Sequence, residues 1–376
     1  MADTAKINSF DGFDKLTVVS PSNHKLRVDA ERSRSIKGTL TAFVVGQSQI
    51  SRTAKQMEQL DSLRSAPHYF GAIVPAQKII GTEEREIRGK KISFTVKAYM
   101  PDIIIAEAEV PLDDIFNESN LDLREELTTS CREILQKHKA KKETDEEYGV
   151  WAIGDYDGSA DTFLVYDDKI AGLLKSEKQS LDEKEIEATM QSSIKYARND
   201  LTIVDWDGAF VFDPEGHFGS ALEMFEIANA QLLRYRILDN ELEERMKRIN
   251  RLLREMDGKR KLALKSREVR QAVRELIAIR SASVLEFEST ERDIKLIGDW
   301  YSARLYDLVA KKFHFDDWRQ RIQLKLDSIE DIYSMISENF NVSLRARLET
   351  VSLVGWLILM VGWFILIVFE FAGLFR

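Results

Sequence analysis

Five acidic residues cluster in the sequence: Asp155 and Asp157 before Gly158, then Asp205, Asp207 and Asp213. Hard divalent cations take several oxygen ligands, so this set is a candidate cation site. The competing reading is turn chemistry, in which Asp beside Gly serves the backbone. The spacing favours turns, because Asp-x-Asp-x-Asp-Gly is absent and no Glu stands at the offset a calcium loop requires. His24, His68, His138, His217 and His314 are scattered without ligand spacing. Gly89-Lys90-Lys91 lacks the earlier glycine and the hydroxyl of a phosphate-binding loop, and no dinucleotide, nucleophile-elbow or zinc-protease motif occurs. Cys131, the one cysteine, shares a helical face with Leu123, Leu127 and Ile134, so a buried, inert thiol is expected. A lone cysteine excludes an intrachain disulfide and a thiolate metal cage, and fits a reducing compartment. No catalytic residue, cofactor or metal ligand is assigned, and a non-enzyme is expected. The alternative is a membrane-bound enzyme, or a nucleotide- or metal-binding regulator, with an acidic site near Asp205 and Asp207.

A second cluster is basic. Arg245 to Arg274 holds twelve Lys/Arg and three Asp/Glu, a balance of +9. The whole chain has 54 Lys+Arg against 63 Asp+Glu and a net charge of -9, so it is not a basic nucleic-acid binder overall. Beside a membrane such a cluster attracts anionic lipid, and Arg251, Arg254, Lys259, Arg260 and Lys261 are the expected contacts. Nucleic acid, such as ribosomal RNA, is the alternative, and a solvated hairpin tip is the plainest reading.

The third chemical feature is apolar. Val351 to Phe369, including Gly355, Trp356, Gly362 and Trp363, carries no charge. Its 19 residues span roughly 28 Å as a helix, about the hydrocarbon thickness of a bilayer. The polar start MADTAKINSFDGFDK is neither a signal nor a transit peptide, so a tail anchor is expected. Arg345 and Arg347 precede the span and Arg376 follows it, which places residues 1–350 in the cytoplasm.

The elements that must position these groups divide in two. All six prolines lie within the first 214 residues, and the rest of the chain is free to run in long helices. The expected fold class is an α+β N-terminal head, a long antiparallel, coiled-coil-like helical stalk and a single C-terminal transmembrane helix. The expected divisions are a loose segment over 1–35, an α+β domain over 36–147, a second α+β stretch over 148–217, a three-helix stalk over 218–350 and the span over 351–375. Strands are predicted at Thr39–Val45, Ile92–Tyr99, Ile103–Val110 and Val150–Ile153, the second and third paired as a hairpin. The alternation of Ile92, Phe94, Val96 and Ala98 with Ser93, Thr95, Lys97 and Tyr99 predicts one buried face. Helices are predicted at Ser51–Arg64, around Leu123–Ile134, at Asp161–Lys175 and at Asp182–Gln191. Leu201 to Asp213 predicts a hairpin with a two-residue type I′ turn at Asp207-Gly208.

In the second half, Phe218–Asp257 predicts a helix ending at Gly258, and Lys259–Phe313 a second. A third begins after His314-Phe315, with Asp316 or Asp317 as its cap. On it Trp318, Ile322, Leu326, Ile329, Tyr333, Ile336, Phe340, Leu344 and Leu348 repeat at steps of four and three. Continued into the span, that face carries Ser352, Gly355 and Gly362, small residues that let membrane helices approach. An oligomer seam through Ile329, Tyr333, Ile336, Phe340 and Leu348 is expected. Antiparallel folding predicts that the first and third helices both run toward the membrane.

The stretches LEMFEIANAQLLRYRILDNEL, IGDWYSARLY, DDWRQRIQLKLDSIEDIY and RARLE resemble a group of uncharacterised prokaryotic membrane proteins. These in turn resemble, distantly, the required-for-meiotic-nuclear-division family of eukaryotes. The resemblance covers roughly residues 200–370 and leaves the first 150 without a counterpart. It implies a mixed α/β domain, long helices and a C-terminal anchor, with oligomers at an inner membrane linked to translation. With the topology above, it implies a single-pass protein of a prokaryotic inner (plasma) membrane. The architecture is also similar to CorA-type magnesium channels, although those have two spans and a Gly-Met-Asn signature that this chain lacks. The functional expectation is a non-catalytic, homo-oligomeric scaffold or tether whose head recruits a partner protein, an ion-conducting oligomer being a third reading.

Overall fold

The structure is a computed structural model and describes residues 35–50, 77–99, 102–256 and 300–374, with isolated positions between 257 and 299. The loose segment expected before Ser35, the helix expected at Ser51–Arg64 and the helix end expected at Gly258 lie outside the described residues.

Eight strands form one sheet. They are β1 (Gly38–Ser48), β2 (Gln77–Ile87), β3 (Lys90–Tyr99), β4 (Ile103–Leu112), β5 (Ala140–Ile153), β6 (Ser193–Ile194), β7 (Leu201–Val204) and β8 (Gly208–Phe212). Their spatial order is β2-β3-β4-β1-β5-β8-β7-β6. Neighbours are antiparallel except β5 and β8, which run parallel. The two stretches expected to be separate α+β units therefore share one sheet. β5 itself crosses the boundary expected between 147 and 148.

The expected hairpins form, β3 with β4 and β7 with β8. The turn of the second differs from expectation. The Asp205 N–H donates to the Gly208 carbonyl at 2.8 Å, so Trp206 and Asp207 occupy the corner, and neither has a positive φ. Gly208 serves another purpose: a Cβ there would stand 2.7 Å from the Gly149 carbonyl oxygen of the parallel neighbour. The type I′ pattern occurs instead between β2 and β3, where Arg88 (φ 51°) and Gly89 (φ 73°) join the paired residues Ile87 and Lys90.

Side chains leave the central strands on alternate faces, and both faces are buried. Leu40, Ala42 and Val44 of β1 pack with Trp151 and Ile153 of β5 under α1 (Ser119–Lys137), a 3-10 helix (Ala160–Tyr166) and α2 (Asp167–Lys175). Cys131 lies in this layer, fully buried, beside the Ala42 carbonyl, and burial pushes its thiol up to about 12. α3 (Glu183–Gln191) begins at Asp182, whose carboxylate accepts the Lys184 N–H as a cap.

On the opposite face Phe43, Val45, Tyr148 and Val150 meet α4 (Gly219–Met256). The first half of α4 is not stalk. Met224, Phe225, Ala228, Leu232, Leu233 and Tyr235 are buried against the sheet, because this segment is apolar around most of its circumference. α5 (Trp300–Lys312) and the start of α6 (Phe315–Leu374) complete the layer. His314 breaks the chain between them with φ 53°, and the buried rings of Phe313 and Phe315 flank it. Asp316 and Asp317 fall in the first turn of α6 rather than at its cap.

Candidate functional site

The acidic residues that opened the sequence reading do not converge on a cation. Among the described residues, no group of three or more His, Cys, Asp or Glu is placed to hold a metal ion. Asp205, at the end of β7, is buried, with Lys312 of α5 at 3.0 Å from Oδ1 and Lys175 of α2 at 3.0 Å from Oδ2. Its Oδ1 also accepts the Trp206 N–H at 2.7 Å. Burial alone would raise this carboxyl, but Lys312 and Lys175 together hold it below the usual carboxylate range. Asp207 differs: burial raises it, and its carbonyl accepts from Arg124 of α1 at 2.7 Å. Trp206 lies edge-on over Phe313, with ring centroids 5.6 Å apart. The β7–β8 tip therefore clamps the α5–α6 elbow onto the sheet. Lysines fill the role the sequence left open to a cation.

A second polar cluster was not foreseen. Lys97, expected on an exposed strand face, lies beneath α4 with Nζ 2.7 Å from Glu107 of β4 and 2.9 Å from Glu226 of α4. Tyr99 donates its hydroxyl to Glu226 at 2.5 Å. Burial, then the neighbouring Glu226 carboxylate, pushes Glu107 up to about 8. The same face holds Glu146 of β5, 2.7 Å from Arg236 of α4, and burial pushes it up to about 7. One signal for the cluster was present in the sequence. Glu226 interrupts the otherwise apolar run MFEIA, where a carboxylate needs a buried partner.

Of the remaining predicted residues, Arg251 and Ile329 lie on an arm built by α4 and α6. Arg319 donates to the Tyr235 hydroxyl at 3.2 Å, and Lys325 pairs with Asp239 at 2.8 Å and with Glu243 at 3.0 Å. Residue numbers rise together along both helices, so α4 and α6 run parallel, as expected of the first and third long helices. Ile322, Leu326 and Ile329 are buried in the same core as α4. Ile329, expected at an oligomer seam, packs within the core of its own chain. The backbone of α6 is continuous through Tyr333, Ile336, Phe340 and Leu348, whose side chains lie outside the described residues.

Arg251 is exposed on the last turns of α4. Lys325 lies level with about residue 241, which puts Arg251 level with about residue 335 and about 21 Å along the axis from Glu349. Lys259, Arg260 and Lys261 lie outside the described residues, as does the side chain of Arg254. Beyond the arm, Glu349–Glu370 is a stretch of 22 residues long and apolar enough to cross a membrane, and none of its most apolar window is buried. Val351, Trp356, Trp363 and Phe369 are exposed, and a Cβ added at Gly355 or Gly362 would meet nothing within 4 Å.

The class defined here is an α+β domain with helices on both faces of one sheet, and a single exposed apolar helix continuous with the last of them. The family model described as "Uncharacterized protein MJ0711, N-terminal domain" matches residues 43–218, the sheet domain. The chain is also similar to Uncharacterized protein MJ0711 of Methanocaldococcus jannaschii. The two are 27% identical over 309 residues, covering 81% of this chain and 90% of that one. No solved structure matches the chain. The family match thus falls largely on the part of the chain for which the sequence reading found no counterpart.

Proposed function

We propose that this is a single-pass membrane protein of a prokaryotic inner (plasma) membrane. In this reading it is a non-catalytic scaffold or tether that presents its sheet domain on the cytoplasmic side. The observation that carries the reading is the union of two properties in one helix. α6 is packed into the core of the head at Ile322, Leu326 and Ile329, and its far end is an unburied apolar stretch of bilayer length. Exposed apolar surface of that extent requires a covering, and lipid is the covering that fits its length and composition. Arg345 and Arg347 on the head side support a cytoplasmic head. The basic run after Arg251 would meet anionic headgroups. Small residues at Gly355 and Gly362 support self-association of the span, and the head would recruit a partner protein.

The test is fractionation of the intact chain. It is expected in the membrane pellet after ultracentrifugation of a surfactant-free lysate, and to resist an alkaline wash. Recovery in the supernatant would overturn the proposal. Protease added to spheroplasts should leave the head whole, and native mass spectrometry of the solubilised particle should return a multiple of the protomer mass with no retained small ligand.

A further inference from the structure

The cluster beneath α4 holds an odd charge. Lys97 of β3 supplies one positive charge, and Glu107 of β4 and Glu226 of α4 supply two negative ones when both are ionised. Their side chains are 14%, 16% and 1% exposed, so water cannot compensate the excess. Two ionised carboxylates facing one ammonium in such a place repel each other, and the usual resolution is a single proton kept between them. The Tyr99 hydroxyl donates to Glu226, which favours Glu226 as the ionised member and leaves the proton on Glu107.

Other charged groups face α4 on this side of the sheet. Glu146 of β5 is balanced by Arg236 of α4. Glu223, one turn before Glu226, is buried beside Tyr99 and adds further negative potential. β1 contributes the apolar Phe43 and Val45, and β5 adds Tyr148, which donates to the Asp205 carbonyl at 3.0 Å.

We propose that Lys97, Glu107, Glu226 and Tyr99 form a proton-binding latch, which holds α4 on the β3–β4 hairpin when one proton is bound and loosens it when that proton leaves to water. The inference is independent of membrane insertion. Its operating range is set by Glu107, which burial pushes up to about 8. In the detached state Glu107 returns to the ordinary carboxylate range, so the docked state binds the extra proton. Detachment therefore becomes easier as pH rises from about 5 to 8 and levels off above. Glu226 is lowered, so what it contributes is lost only in acid, and Lys97 is raised, so what it contributes is lost only in strong alkali.

The experiment is hydrogen exchange of residues 219–238 in the full chain in detergent, corrected for intrinsic rates, from about pH 5 to 9. Between about pH 7 and 8, above the range in which Glu146 changes, the wild-type opening constant should rise by up to about tenfold per pH unit, the limit for one linked proton. Glu107→Gln should flatten that rise, whereas Glu146→Gln should preserve its portion between about pH 7 and 8. Equal slopes in wild type and Glu107→Gln overturn the latch. Should Glu107→Gln not fold, the infrared spectrum of Glu146→Gln decides. A protonated carboxylic acid band present at about pH 7 and lost by about pH 9 supports the proposal, and its absence at pH 7 overturns it.

Discussion

At the scale of single residues, this protein uses buried charge to fix one element onto another. Asp205 shows the pattern: two lysines from different helices close on one carboxylate at the tip of a hairpin. Asp205→Ala would leave Lys175 and Lys312 facing each other and the Trp206 N–H unpaired. Both lysines are about a quarter exposed, so water shares the burden and the expected loss is on the order of 1–3 kcal/mol. Denaturant midpoints of the full chain in detergent measure it. The pH dependence has a definite sign. Because the folded carboxyl is depressed, its stabilisation is present above the ordinary Asp range and is lost as pH falls through the folded value. The wild type should therefore lose stability relative to Asp205→Ala only in acid. These roles were hidden from the sequence for a physical reason. Lys97 and Glu107 alternate with apolar neighbours just as solvent-facing residues do, and only the arrival of α4 over that face makes them interior.

At the scale of elements, hydrophobic period was a sound guide to type and a poor one to partner. β1, β3, β4, α1 and α3 sit where alternation or helical spacing put them. β2 escaped because an edge strand reading QKIIGTEEREI shows little alternation and is rich in charge. The repeat of Leu222, Phe225, Ala228 and Leu232 fits a stalk as well as a sheet cover. The difference lies in Met224 and Leu233, which widen the apolar arc beyond a coiled-coil seam. The joint between α5 and α6 yields two predictions. His314 holds a left-handed conformation that glycine adopts without strain, so His314→Gly should be neutral or stabilise by up to about 1 kcal/mol in thermal melts. Leu326→Ala empties a buried site between α6 and α4 and should cost about 2–5 kcal/mol. That loosening would be read as faster tryptic cleavage after Lys325, which is now paired with Asp239 and Glu243.

At the scale of the whole molecule, α6 links the sheet to the apolar end without an intervening loop. From Ile329, the last fully buried core residue among the described ones on it, to Glu349 is 20 residues, about 30 Å of helix. A tether of that length would hold the sheet domain well clear of headgroups. Leu359→Arg places a charge at the centre of the apolar stretch, which costs insertion about 2.5–3.5 kcal/mol. It should move a measurable share of the protein from pellet to supernatant while leaving the melting of the head unchanged. The sealed position of Cys131 bears on how such questions are approached. With its sulfur shut away behind α1 and its proton held far into alkali, the native polypeptide should stay dark to thiol-reactive dyes, even in permeabilised cells. Any thiol introduced by mutation on either side of the bilayer would then glow against an empty background, and sidedness could be mapped without first deleting a natural cysteine.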